Sequence, residues 1–113
     1  MVLDRGSAEA YASWFRCLAD ATRIQILHVL ATAQGPMTVG EIVAAVGVGQ
    51  STVSAHLRRL AELEFVFVEH VGTASLYRVN DDCLTSFPAA ADVVMGRVPV
   101  AGGDPLAAAP WRA

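Results

Sequence analysis

Residues 50–65 read QSTVSAHLRRLAELEF, and the polar residue types in this stretch suit one chemistry in particular. Gln50 carries an amide that can pair with adenine at two points. Ser51, Thr52 and Ser54 carry short hydroxyls that bond to base edges or phosphates. Ala55 is small enough for close approach, and its methyl can meet the methyl of thymine. His56 can donate to a phosphate without adding permanent charge. Arg58 and Arg59, further along, suit phosphates or a guanine. Short donors and acceptors near the start of a helix are what a helix inserted in the DNA major groove needs. An ordinary solvated helix also shows polar residues opposite an apolar stripe, so the surrounding elements must decide between the two readings.

Val53, Leu57 and Leu60 recur at the spacing of one buried helical stripe, which leaves the polar set on the other side. Upstream, Thr38 and Glu41 form a capping-box pattern that opens a short helix through EIVAAV, and Gly47 can close it. A short VGQ turn follows, with Gln50 or Ser51 as the next N-cap. Downstream, FVFVEHV at 65–71 and SLYRV at 75–79 are rich in strand formers and flank a Gly72–Ala74 turn, which predicts a hairpin. Short helix, turn, longer helix and hairpin make a winged helix-turn-helix. Two further helices precede it: one over 7–19, and one capped by Asp20 whose apolar stripe is Ile24, Ile26, Leu27 and Leu30. Asn80, Asp81 and Asp82 offer the N-cap of a last helix. Pro88 either kinks that helix or sits in the first turn of a regular part beginning near Ser86. The expected fold is therefore mainly α with a β-hairpin wing, one domain over 1–96. A flexible tail of prolines and glycines without a period is expected over 97–113.

Composition narrows the function classes. Hydrophobic residues make up 54% and charged residues 17%, which excludes a disordered chain. The formal charge of −3 argues against non-specific nucleic-acid binding but leaves specific binding open, because local patches outweigh the total. All eight cationic residues are Arg. No signal peptide or membrane-spanning run is visible, so a cytoplasmic protein without a membrane partner is expected. There is no glycine-rich phosphate loop, nucleophile elbow or HExxH, so an enzyme is not expected. The alternative is a winged-helix interaction module with little DNA binding of its own.

The segments LADATRIQILHVL, TVGEIVAAVGVGQSTVSAHLRRLAELEFV and the hairpin ending in LYRV resemble the ArsR/SmtB family of bacterial winged-helix repressors over roughly residues 8–96. The more specific features are Ala19-Asp20-x-x-Arg23 and Ser51-x-x-Ser54-x-His56-Leu57. The resemblance implies a homodimer held by the first and last helices, a palindromic double-stranded DNA operator, and release of DNA on binding an effector, often a metal ion. By position it makes Gln50, Ser51, Thr52, Ser54 and His56 DNA contacts, with Ala55, Arg58 and Arg59 beside them. Tyr11, Trp14, Phe15, Leu18, Leu84, Phe87 and Val94 suit the dimer interface, or else pack inside one subunit. Arg23 is expected to be structural, pairing with an acidic neighbour such as Glu41. The wing departs from the pattern, because His70 and Arg78 are its only candidate cations.

The family's metal sites are incomplete here. The segment MTVGEIV holds no cysteine or histidine. Asp81 and Cys83 match half of a site on the last helix, but its other half falls on Val94 and Arg97, which cannot ligate. Cys17 could join Cys83 and Asp81 to hold a transition metal ion such as nickel or zinc, or arsenite. Each cysteine alone reads as a small buried hydrophobe. His28, near the buried stripe of the second helix, reads as a core histidine, and His70 as a surface one. Sensing is expected to use an unusual site or a separate effector-sensing protein.

Overall fold

The computed structural model describes residues 2–97. Helix α1 spans Arg5–Cys17, α2 Ala21–Thr32, α3 Val39–Val46, α4 Gln50–Glu62 and α5 Asp81–Val94. Strands are β1 Met37–Thr38, β2 Val66–Val71 and β3 Ala74–Val79. This is a winged helix-turn-helix with two helices before it and one after it. All but Arg97 of the expected tail lies outside the described residues.

Local signals set most boundaries. The Asp20 carboxylate accepts from the Arg23 amide and opens α2. Thr38 and Glu41 make a complete capping box at α3, and Gly47 closes that helix with φ +73°, where a side chain would strain the backbone. Asn80 caps α5 by accepting from the Asp82 amide, with Asp81 and Asp82 in the first turn. The helix therefore starts at Asp81, and Pro88 lies in its interior rather than its first turn. Two starts differ from expectation. Asp4, through its bond from the Ser7 amide, begins α1 at Arg5. Gly49, not Gln50 or Ser51, is the N-cap of α4, and it supplies no side-chain bond.

The hairpin pairs Val66 with Val79 through to Val71 with Ala74, leaving a two-residue Gly72–Thr73 turn. Gly72 takes φ +61°, the positive value that two-residue hairpins favour at their first central position. The sheet gains a third strand that sequence did not reveal: β1 pairs antiparallel to β3, giving the order β1-β3-β2. Two residues are too few to carry an alternating pattern.

The core draws on every helix. Tyr11, Trp14 and Cys17 come from α1, Ile26 and Leu30 from α2, and Ile42 from α3. Val53, Leu57 and Leu60 come from α4, and Cys83, Ala90 and Val93 from α5. Ile24, expected in the α2 stripe, is 53% exposed. It lies two residues from Ile26, so the two cannot share a helix face. His28 is also exposed. Aromatic rings tie the first and last helices together: Trp14 meets Phe65 at 6.5 Å, Phe65 meets Phe87 at 5.9 Å, and Phe87 meets Phe15 at 5.2 Å between centroids. Tyr11 and Trp14, expected at the dimer interface, are 1% and 5% exposed and belong to this protomer's own core.

Gly47→Ala should destabilise the fold by about 1–2 kcal/mol, the cost of a left-handed non-glycine residue. An alanine there would meet nothing within 4 Å, so no steric clash adds to this. Gly35→Ala, equally uncrowded but without a positive φ, should be near neutral; urea unfolding compares them. Hydrogen bonds from the Thr38 amide and hydroxyl hold the Glu41 carboxyl below its ordinary 4.5. A depressed carboxyl stabilises above its unfolded value and loses that contribution as pH falls. Unfolding midpoints should therefore drop on acidification below 4.5, and Thr38→Ala should blunt that drop.

Candidate nucleic-acid interface

Helix α4 is anchored by one face. Val53, Leu57 and Leu60 are fully buried, each worth about 2 kcal/mol of apolar burial. The opposite face shows Gln50, Ser51, Thr52, Ala55 and Arg58 to solvent, with Ser54, His56 and Arg59 half-covered at its edges. Because no side chain caps α4, the amides of its first turn face outward beside these hydroxyls. Short polar side chains and uncapped amides together make a surface that can donate to phosphates and base edges. Arg59 lies 3.8 Å from Glu62, which partly neutralises it. Among the described residues, Arg58 makes no ion pair and is the free cation of this surface.

His56 is placed differently from its neighbours. Its side chain is 17% exposed, and its Nε2 lies 3.9 Å from Asp20 Oδ1. Its Nδ1 accepts a 3.0 Å hydrogen bond from Arg23 Nε. Arg23 also donates from Nη1 to the Cys17 carbonyl at 3.0 Å. Arg23 is therefore structural, but its partner is His56 rather than Glu41, whose carboxylate is engaged in the α3 capping box. The bond from the Arg23 amide holds the Asp20 carboxyl below its ordinary range, against the opposing cost of burial.

The wing offers little positive charge. Arg78 stacks over the Phe67 ring at 4.8 Å, and His70 Nδ1 shares a 3.0 Å hydrogen bond with Ser75 Oγ. Both keep solvent access. Behind the wing, Asn80 is buried and donates to the Glu64 carbonyl at 2.9 Å, while its amide donates to Phe65. Glu64 itself takes φ +57°. Asn80 thus joins the exit from α4 to the start of α5, a role that its cap position alone did not indicate.

The proposed metal ligands do not form a set. Cys17 and Cys83 are buried and Asp81 is exposed. Burial raises the Cys17 thiol above 9.0, against the opposing charges of Arg23 and Arg59. Burial, and then the Asp81 charge, push Cys83 up to about 11, and its thiol points at the Phe65 carbonyl, 3.8 Å away. Among the described residues, no three His, Cys, Asp or Glu side chains gather as a metal would require. Of the other expected interface residues, Phe15, Leu18 and Phe87 are half-buried and Val94 is 49% exposed. The Leu84 side chain lies outside the described residues.

Comparison with known proteins places this architecture. The family profile described as bacterial regulatory protein, arsR family, matches residues 20–67. The HTH-type transcriptional regulator KmtR of Mycobacterium tuberculosis is 40% identical over 68 residues, covering 60% of this chain and 51% of that protein. The arsenical resistance operon repressor of Bacillus subtilis is 33% identical over 72 residues, covering 64% and 68% respectively. This chain thus spans about half the length of the first relative and about two-thirds of the second. The homodimeric winged helix-turn-helix DNA-binding domain Mb0332 of Mycobacterium bovis superposes with a TM-score of 0.64 at 31% identity, covering 85% of this chain and 90% of that one. No helix among the described residues is long and apolar enough to cross a membrane.

Both thiols should resist alkylation in the native protein at pH 7, because raised thiol values leave little thiolate and burial blocks approach. In urea both should label quickly. Equal labelling rates by mass spectrometry in the two conditions would contradict the packing described for α1 and α5.

Proposed function

Since the chain belongs to the ArsR family of bacterial regulatory proteins, we propose that it binds a palindromic DNA operator as a homodimer and represses transcription from it. The observation that carries this reading is the exposed face of α4, with a fully buried stripe on the opposite side. Gln50, Ser51, Thr52, Ser54 and Ala55 read base edges in the major groove, and Arg58 and Arg59 contact phosphates. Two-fold symmetry then places the two reading helices one helical turn apart, about 34 Å along the duplex. The partner packs on α1 and α5, where Phe15, Leu18 and Phe87 are half-covered and Val94 is exposed. The wing plays a minor part, since Arg78 is engaged with Phe67 and His70 with Ser75. Few neutralised phosphates mean a shallow dependence on salt.

Selection of duplexes from a random library with the full chain tests the proposal. It should enrich a two-fold symmetric site; enrichment of no sequence would favour a winged-helix interaction module. On the selected site, Gln50→Ala should weaken binding by about 1–3 kcal/mol and relax the preference at one base pair of each half-site. Arg58→Ala should instead weaken selected and scrambled duplexes alike and reduce the salt slope by about one per protomer, read by fluorescence anisotropy over a salt series.

A further inference from the structure

Arg23, Asp20 and the Cys17 carbonyl meet beside His56 of α4. Arg23, in the first turn of α2, donates from Nε to His56 Nδ1 and from Nη1 to the carbonyl of Cys17, the last residue of α1, each at 3.0 Å. Asp20 Oδ1 accepts from the Arg23 amide at 3.1 Å and lies 3.9 Å from the other nitrogen of the same imidazole. A guanidinium Nε–H only donates, so His56 Nδ1 must carry a lone pair and the ring proton sits on Nε2, facing Asp20. Nδ1 is therefore committed to Arg23, while Nε2 faces Asp20 from beyond hydrogen-bond distance on a side chain that is only 17% exposed.

We infer that Arg23 and His56 are positioning residues for DNA reading: their hydrogen bond fixes the roll of α4 against the α1–α2 junction, and His56 acts without touching DNA. The physical need is plain. The buried stripe decides which face of α4 is dry, but apolar burial is non-directional and leaves the fine rotation of the helix loosely set. A directional bond from a rigid fork does fix it. His56 lies one turn beyond Thr52 and between the buried stripe and the exposed face, the place from which a bond controls roll. Through the Cys17 carbonyl, the same guanidinium holds the end of α1, so the reading helix is set relative to the helix on which the proposed partner packs. The inference rests on the DNA-reading proposal above.

The test compares four full-length proteins: wild type, His56→Ala, His56→Asn and Arg23→Lys. Affinity for the selected duplex and for a scrambled one is measured after circular dichroism has checked the fold. Asparagine offers an amide oxygen near the place of Nδ1, so it keeps an acceptor for Arg23 while removing the imidazole. Lysine keeps the charge but cannot make both bonds of the fork. His56→Ala and Arg23→Lys should each lower the selected-to-scrambled affinity ratio about tenfold, whereas His56→Asn should stay within about twofold of wild type. In nitrogen NMR of the wild type, His56 Nδ1 should be the unprotonated acceptor of the Arg23 Nε–H. An Asn variant as weak as the Ala variant would show that the imidazole itself is needed at the DNA and overturn the inference. So would an Ala variant with the wild-type ratio, or a protonated Nδ1. A wild-type chain that selects no duplex would overturn the DNA-reading proposal itself, a distinguishable failure.

Discussion

The molecule depends on holding one thirteen-residue helix in a defined attitude with one face dry and the other wet. Complete burial of Val53, Leu57 and Leu60 supplies the force, and it leaves the polar side chains of α4 outside as a consequence. The packing around that seat is arranged to keep it from moving. The capping box and left-handed Gly47 limit α3 to eight residues, so the turn into α4 is short and its direction is set. The sheet lies at the far end, where Phe65 and Val66 enter the core directly after α4 ends.

Polar groups add the direction that apolar contacts lack. Asn80 uses its side chain and backbone to join Glu64, Phe65 and the first turn of α5, so the exit from α4 and the start of the last helix form one rigid joint. Arg23 does the same at the middle of α4 by linking His56 to the end of α1. Both arrangements are part-buried, where a hydrogen bond is stronger than in water and an unmade one is expensive. The aromatic contacts through Phe65 then bind α1 and α5 into the same body. This explains why Tyr11 and Trp14 face inward: the chain uses its largest side chains to complete a small core. Phe15, Leu18 and Phe87 are left only partly covered at the surface.

Much of this could be read from residue order. Thr38 with Glu41, Gly47, Asp20 and Asn80 are local signals whose chemistry acts within one turn, and each does in the fold what its type suggests. The α4 stripe and the hairpin follow from periods of 3.6 and 2. Where reading by pattern faltered, the information was not periodic. Ile24 is apolar but on the wrong face, and β1 is too short to show a pattern. The start at Gly49 uses ordinary extended backbone angles that any residue adopts, and a residue without a side chain leaves no capping signal to read.

Sequence by itself determined the elements, their order, and the residues that α4 shows to solvent, because helix caps, turns and amphipathic spacing are governed by neighbours a few residues apart. Only the tertiary structure decided the partners of residues distant in the chain. The two short motifs around Arg23 and His56 are 33 residues apart, and nothing in either indicates that they touch. Tyr11 and Trp14 have the composition of an interface as much as of a core, and the position of Phe65 settles which they serve. Cys17, Cys83 and Asp81 carry ligand atoms, but burial of two and exposure of the third separate them in environment. Contacts of this kind depend on how the helices cross and how the chain closes, which is set by the sum of the packing and not by any local run of residues.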